Sequence, residues 1–298
     1  MSCGPGTEND NLPAYIVLCP GRPVRFSILW NSAFLPSQHQ GVYINHSKIA
    51  PKEMIPWLRN AKLDPAAQRR QLDLMQALNR EHLAAQGGAD NALQGRIEAM
   101  ETAYRMQFAA TDAFDISKEP EKVREAYGKG HFANGCLLAR RLSERGVRFI
   151  QIMHGSGAAG AWDQHSNLKA KHSELAMQVD RPVAGLLKDL KQRGMLDQTL
   201  VVFATEFGRT PGSQGANGRD HHPYGFSVWL AGGGIRGGQH VDSSDPQAAY
   251  PAENPIHVSR VVATIFYALG CSESTLVHDV QGKPHHVMTA RPLHKLFG

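Results

Sequence analysis

Signatures of several enzyme and redox classes are missing from this chain. The four cysteines form no Cys-x-x-Cys pair, which excludes a zinc ribbon or a thioredoxin-type motif. No Gly-x-Ser-x-Gly or Walker A sequence occurs, and no Gly-x-Gly-x-x-Gly opens a predicted helix. A serine hydrolase of the α/β type, a P-loop protein and a dinucleotide-binding fold are therefore disfavoured.

Long apolar segments, an export signal and dense basic charge are also absent from the sequence. The apolar runs are far shorter than the roughly 20 residues that a membrane span needs, and the N-terminus shows no signal-peptide pattern. The chain as written is therefore expected to be cytoplasmic. The net charge is +5, but Lys and Arg are spread along the chain, which argues against nucleic-acid binding.

Apolar residues and histidines are what the sequence has in quantity. At 42% hydrophobic, the chain can bury a sizeable core. It contains 15 histidines, most of them in the second half. Neutral surface histidines, hydrogen-bonded core histidines and a metal site would each account for such a number.

The order of predicted elements favours an α/β fold with a mostly parallel sheet sandwiched by helices. Strands are predicted at 14–18, 147–152, 199–204 and 226–231, and helices at 64–86, 90–109, 131–145, 168–193 and 256–269. Asp64-Pro65 is typical of a helix start, and Gly87-Gly88 of a break between helices. We predict a single domain over 1–298, with a helical insertion at about 62–130.

Polar clusters follow two of the predicted strands. Because ligands of open α/β sheets bind beyond the carboxyl ends of the strands, we expect both clusters to contribute to one site. Carboxylate oxygen and imidazole nitrogen suit divalent ions, so the predicted cofactor is Zn, Mn, Fe or Ca. The candidate metal ligands are His154, Asp163 and His165 after the first strand, and Glu206, Asp220, His221 and His222 after the second. Arg209 is the candidate catalytic residue.

Structural interpretations of the same residues remain open at this level. Glu206 and Arg209, three residues apart, can form an ion pair that needs no metal. His221 and His222 are adjacent, so their side chains are expected to diverge and only one to act as a ligand. Hydrogen bonds that stabilise a loop would likewise account for Asp163 and the nearby His165.

Four long stretches of the sequence resemble the bacterial domain-of-unknown-function family 1501. They are "RGVRFIQIMHGSGAAGAWDQHSNL", "DLKQRGMLDQTLVVFATEFGRTP", "GRDHHPYGFSVWLAGGGIRGG" and "ENPIHVSRVVATIFYALG". The resemblance covers about residues 5–280. This family is grouped by fold with alkaline phosphatases and sulfatases, so it implies an alkaline-phosphatase-like fold and a two-metal site that acts on small anionic esters.

The resemblance also implies roles for individual residues. Glu206 matches an acidic metal ligand at the end of a late strand, and His221 matches a histidine that follows a glycine-rich loop. Asp163 and His165 resemble the preceding Asp–His pair of the superfamily. Phe207 stands where the superfamily has a histidine, which puts a complete second metal site in doubt.

The chain departs from the family at its N-terminus. The family's secretion signal is not found, although its members are usually exported to the periplasm or cell surface. The segment that carries the first metal-binding Asp and the nucleophile is not found either, so the chain is expected to be N-terminally truncated. "CPGRP" at Cys19 does not have the Cys-x-Pro-x-Arg order that sulfatases need.

We therefore expect a metal-binding, hydrolase-like protein that acts on phosphate or sulfate esters, with its catalytic competence left open. The alternative is a non-catalytic binding or cell-surface module that retains the fold. A third interpretation is an oligomer or a larger complex, in which a partner covers an incomplete sheet.

Overall fold

Residues 9–298 are described by the computed structural model, except 24–25, 34, 36–38, 56–59, 86, 88–89, 156–160, 214, 216 and 280. Gly88 of the predicted break between helices lies outside these residues. The fold is mixed α/β, with one parallel sheet and several small antiparallel ones. Within the described residues, no helix is long and apolar enough to span a membrane.

Helices and strands are numbered in chain order. The α-helices are α1 (Pro51–Met54), α2 (Pro65–Ala85), α3 (Asn91–Ala113), α4 (Glu121–Tyr127), α5 (His131–Ser143), α6 (Leu168–Gln192) and α7 (Val258–Ala268). The strands are β1 (Tyr15–Cys19), β2 (Val42–Asn45), β3 (Phe149–Ile152), β4 (Val201–Phe203), β5 (Gly208–Arg209), β6 (His221–His222), β7 (Trp229–Ala231), β8 (Leu276–His278) and β9 (Pro284–His286).

The predicted helices are confirmed, with ends shifted by a few residues. Asp64 caps α2 as expected, since its Oδ1 accepts a hydrogen bond from the Ala67 N–H at 2.7 Å. After α6, Gly194 has φ +68°, the left-handed conformation that ends many helices. The strand predicted at 226–231 is shorter, and β2 was not predicted at all.

The described residues divide into two compact units. The first comprises Met1–Glu125, Lys129–Ala158 and His278–Pro284, and the second comprises Ala126–Gly128, Ala159–Val277 and His285–Gly298. The single domain expected over 1–298 stays a prediction.

A three-stranded parallel sheet forms the centre of the first unit. The strand order is β2-β1-β3, with Ile16 opposite Val42 on one side and Ile150 on the other. Residues 16–19 of the central strand are fully buried, as expected for an apolar run in a parallel sheet. Helix α5 packs on β3, and it does so closely at Gly135, where a Cβ would lie 3.1 Å from Ile152 Cγ2.

A buried charge cluster also belongs to the first unit. The Glu119 carboxylate pairs with Arg140 at 2.6 Å and with Arg141. Arg140 pairs in addition with Glu144 at 2.6 Å, and Arg141 donates to the Ala113 carbonyl at 3.1 Å. Arg140 and Glu119 are only 1% and 8% exposed, so each charge depends on its partner rather than on water.

The second unit contains α6, α7 and two small antiparallel pairs of strands, β4 with β7 and β5 with β6. Strand β4 was expected in one mostly parallel sheet, but the strand that it pairs with is β7. The Phe203 and Trp229 rings stack at 5.6 Å across this pair. This local aromatic contact stabilises the antiparallel pairing, since cross-strand side-chain pairs are the unit of sheet stabilisation.

Candidate metal centre

The site residues of the second unit come from a loop and a β-hairpin. The loop, residues 161–167, leads into α6 and carries Asp163 and His165. The hairpin consists of β5 and β6, in which Arg209 lies directly opposite His221. Because cross-strand partners point to the same face of a sheet, the Arg209 and His221 side chains are presented together.

The side chains of Arg209, His221 and His165 all contact the Asp163 carboxylate. Its Oδ1 accepts a hydrogen bond from Arg209 Nη1 at 2.8 Å and lies 2.9 Å from His221 Nε2. His165 Nε2 lies 3.2 Å from the same oxygen. The hydrogen bond from His221 lowers the pKa of the Asp163 carboxyl, burial opposes this, and the Arg209 guanidinium lowers it further. Asp163 is therefore a carboxylate at neutral pH.

Three donor atoms, one each from Asp163, His165 and His221, all lie within 4.8 Å of one another. They form the one group of this kind found among the residues that the structure describes. The His165 and His221 side chains are 50% and 47% exposed, whereas that of Asp163 is 27% exposed. The group is thus open to solvent on its imidazole side.

The segment before β6 is hydrogen-bonded to the loop that carries His165. The Arg219 N–H donates to the Gln164 carbonyl at 3.1 Å, and the Leu168 N–H donates to the Asn217 carbonyl at 3.2 Å. Gly218 lies so close to the His165 backbone that a Cβ would overlap its carbonyl group. Glycine is therefore required at this position for the two segments to pack together.

Asp220 contacts His165 from the other edge of the imidazole ring. Asp220 Oδ1 lies 3.1 Å from His165 Nδ1, whereas the ring's Nε2 faces Asp163. The second oxygen of Asp220, Oδ2, is buried and has no hydrogen-bond partner within the described part of the chain. Asp220 is not among the three side chains whose donor atoms converge.

Glu206 and His222 also lie outside the convergent group. Glu206 is 64% exposed, and its Oε1 is 3.9 Å from Arg209 Nη2, a longer contact than the one from Arg209 to Asp163. His222 is buried, and its ring contacts the Ala249 carbonyl. The expected divergence of His221 and His222 is confirmed, because neighbouring residues of a strand point to opposite faces.

His154 belongs to the first unit, where it follows β3 and packs edge-on against Phe132 at 5.0 Å. In the same unit, His46 follows β2 and is fully buried, and neither of its ring nitrogens has a hydrogen-bond partner among the residues that the structure describes. Burial first, and then the charges of His131 and His154, lower the pKa of His46 to about 4. His46 is therefore neutral at pH 7.

Two aromatic contacts of the site were missed by sequence reasoning. The centroid of the Phe207 ring lies 4.4 Å from the centroid of the His221 ring and 5.6 Å from Cζ of Arg209. Phe207 therefore packs against both side chains. Trp162 packs edge-on against His172 at 5.1 Å, and its carbonyl accepts a hydrogen bond from Arg209 at 3.1 Å. His172 is half-buried. No sequence pattern marked these contacts, because they join separate segments.

A family model described as "Protein of unknown function (DUF1501)" matches residues 1–297 of the chain. The comparisons with curated proteins and with solved structures give no match. The family assignment made from the four sequence stretches is confirmed, whereas the alkaline phosphatase and sulfatase superfamily assignment stays a prediction.

Proposed function

The chain belongs to the DUF1501 family, and we propose that it binds a divalent metal ion at Asp163, His165 and His221 and hydrolyses phosphate or sulfate esters. The observation that supports this proposal best is the convergence of three donor atoms within 4.8 Å. Metal sites that do chemistry use three protein ligands and leave a position for water or substrate. The exposed imidazoles of His165 and His221 agree with such an open site.

The chemistry of the donor set narrows the choice of ion. Two imidazoles and one carboxylate suit Zn, Mn or Fe, whereas Ca prefers a shell of oxygen ligands. When bound, such an ion would polarise the ester and lower the pKa of a coordinated water. The carboxylate of Asp163 would supply the negative charge, and the two histidines would bind as neutral imidazoles.

Arg209 is placed to recognise the anionic part of a substrate. Its guanidinium donates to Asp163 at 2.8 Å and to the Trp162 carbonyl at 3.1 Å, so its planar end is held at the edge of the donor group. A guanidinium has five N–H groups, so those not used in these two contacts are left to bind the oxygens of a phosphate or sulfate. Arg209 would therefore help to orient the ester.

Replacing His221 is expected to abolish stoichiometric metal binding. The change His221→Ala removes one of the three metal-binding donors. The matched control is His240→Ala, because His240 is an exposed histidine that lies outside the group. Metal content would be measured by plasma mass spectrometry after loading with Zn, Mn or Fe and desalting. Equal metal content in wild type, His221→Ala and His240→Ala would refute the site.

Replacing Arg209 by lysine is expected to weaken ester hydrolysis while metal content is retained. Lysine keeps the charge but loses the two-pronged geometry, so KM should rise by more than kcat falls. The assay would use p-nitrophenyl phosphate and p-nitrophenyl sulfate with the metal-loaded protein. Arg193→Lys is the control, because Arg193 is an exposed residue that pairs with Asp189 away from the donor group. An unchanged KM in Arg209→Lys would remove Arg209 from substrate recognition.

A non-catalytic binding module is the second candidate, and one observation favours it. Asp163 is already neutralised by Arg209 and contacted by His165 and His221, so the cluster is satisfied without an ion. Under this interpretation, wild type stays metal-free after loading, and Asp163→Asn lowers its stability because an ion-pair network is broken. Metal uptake by the wild type decides between the two candidates.

A further inference from the structure

We propose that Asp220 is a positioning residue for the metal centre, which orients the His165 ring and selects its Nδ1–H tautomer, so that the Nε2 lone pair faces the metal. This inference rests on the proposed function, because it assigns how one of the ligands is prepared. Asp220 was expected to be a metal ligand from its position in the sequence. The geometry instead points to a role on the far edge of the His165 ring.

The positions of the two carboxylates around His165 lead to this assignment. Asp220 Oδ1 faces Nδ1 at 3.1 Å, and Asp163 Oδ1 faces Nε2 at 3.2 Å. A neutral imidazole carries one N–H and one lone pair, and a carboxylate only accepts hydrogen bonds. A neutral His165 can therefore satisfy one of the two carboxylates, and its other nitrogen directs a lone pair towards the second.

The supply of other donors decides which nitrogen carries the proton. Asp163 already accepts from Arg209 at 2.8 Å and is contacted by His221 at 2.9 Å. The Asp220 side chain is 34% exposed, and His165 is its side-chain contact among the described residues, at Oδ1. A proton on Nδ1 gives Asp220 a protein donor, whereas a proton on Nε2 would add a further donor to Asp163, which Arg209 already supplies.

With the proton on Nδ1, the Nε2 lone pair and Asp163 Oδ1 face each other, two acceptors 3.2 Å apart. A cation between them turns this repulsive contact into two ligand bonds. Carboxylates commonly hold a metal-binding imidazole in this way, and losing one typically costs about 10- to 100-fold in metal affinity. The protein's own residues thus prepare the site for an ion.

The backbone holds Asp220 in place for this task. Its N–H donates to Thr210 Oγ1 at 3.1 Å, and its carbonyl accepts from the Thr210 N–H at 3.0 Å. The neighbouring Arg219 N–H donates to the Gln164 carbonyl, next to His165. Asp220 and His165 are therefore fixed to each other through their main chains as well as their side chains.

The test compares Asp220→Ala and Asp220→Asn with wild type and with Glu273→Ala. Glu273 forms another carboxylate–imidazole pair, with His294 at 3.2 Å, outside the cluster. Two quantities are measured in each protein. The first is the Kd for Zn by competition with a chelator, and the second is the tautomer of His165 from ¹⁵N NMR of the metal-free protein. Circular dichroism checks that each variant is folded.

We expect Asp220→Ala to raise the Kd by about 10- to 100-fold and to shift His165 away from the Nδ1–H tautomer. Asp220→Asn, which retains an acceptor oxygen, should lie between Asp220→Ala and wild type, and Glu273→Ala should match wild type. Wild-type Zn binding that is unchanged in Asp220→Ala would overturn the role of Asp220 and leave the proposed function intact. A wild type that binds no metal would overturn both, and an Nε2–H tautomer in wild type would overturn the positioning role alone.

Discussion

The Gly218→Ala variant should lose both stability and metal affinity, although Gly218 has no side chain to offer a ligand. A Cβ at this position would overlap the His165 carbonyl carbon and oxygen and the Ser166 nitrogen. These are backbone atoms, which cannot rotate away as a flexible side chain can. The segment before β6 would have to separate from the loop that carries His165.

We expect this separation to lower the free energy of unfolding of Gly218→Ala by about 1–3 kcal/mol, as overpacking does elsewhere. The Kd for Zn should rise at least tenfold, on the order of the loss seen when a ligand's support is removed. Urea denaturation of the metal-free protein and chelator competition measure the two effects separately.

Gly212, in the loop between β5 and β6, provides a matched control for Gly218. A Cβ at Gly212 would meet no atom of the described residues within 4 Å, and Gly212 does not have a positive φ. The change Gly212→Ala should therefore leave stability and metal affinity close to the wild-type values. If Gly218→Ala behaved like this control, the close packing of the two segments would be contradicted.

Glu119→Gln should destabilise the protein by about 3–5 kcal/mol, the usual cost of removing one partner from a buried ion pair. The substitution keeps the size of the side chain but leaves Arg140 and Arg141 without their shared carboxylate. Arg140 is 1% exposed and cannot recover the loss from water. The measurement is urea denaturation at neutral pH, with midpoint and slope compared between variants.

Lys118→Ala is the control for this substitution, because it removes a neighbouring ion pair that is exposed. Lys118 pairs with Asp112, and the two side chains are 53% and 52% exposed. Surface ion pairs of this kind contribute about 0–1 kcal/mol. If Glu119→Gln and Lys118→Ala lowered the free energy of unfolding equally, the buried cluster would contribute no more to stability than an exposed ion pair.

The contribution of Glu119 should also depend on pH. Burial raises the pKa of its carboxyl, but the hydrogen bonds and charges of Arg140 and Arg141 outweigh burial, so its pKa lies below the usual range. The stabilisation is therefore complete above the unfolded pKa of about 4.3 and is lost as pH falls through the folded pKa. The stability difference between wild type and Glu119→Gln should narrow on acidification, and a constant difference would contradict the ion pairing.

Much of the local structure could be predicted from the sequence because it depends on near neighbours. The Asp64-Pro65 start of α2, the apolar run of β1 and the glycine after α6 are local signals, and the structure contains all three. Strand β2 was missed, although Val42, Tyr43 and Ile44 are strong strand formers bounded by Gly41. Its four residues are too few to show a clear period.

Residue chemistry alone also limited the site to a few candidates. Asp163, His165 and His221 all follow from the chemistry of metal ligands, but so do His154, Glu206, Asp220 and His222. Sequence alone could not separate these sets, because distance along the chain does not fix distance in space. The adjacency of His221 and His222 did predict that their side chains diverge, and their place in strand β6 is the reason that they do.

The amino-acid sequence by itself determined the family, the helices and the kinds of side chain that could form a site. Only the tertiary structure decided that β4 pairs with β7 and that Arg209 lies closer to Asp163 than to Glu206. It also decided that Asp220 contacts the Nδ1 edge of the His165 ring. These three outcomes depend on contacts between segments far apart in sequence. Such contacts are set by the close packing of whole segments, as at Gly218, which no local pattern records.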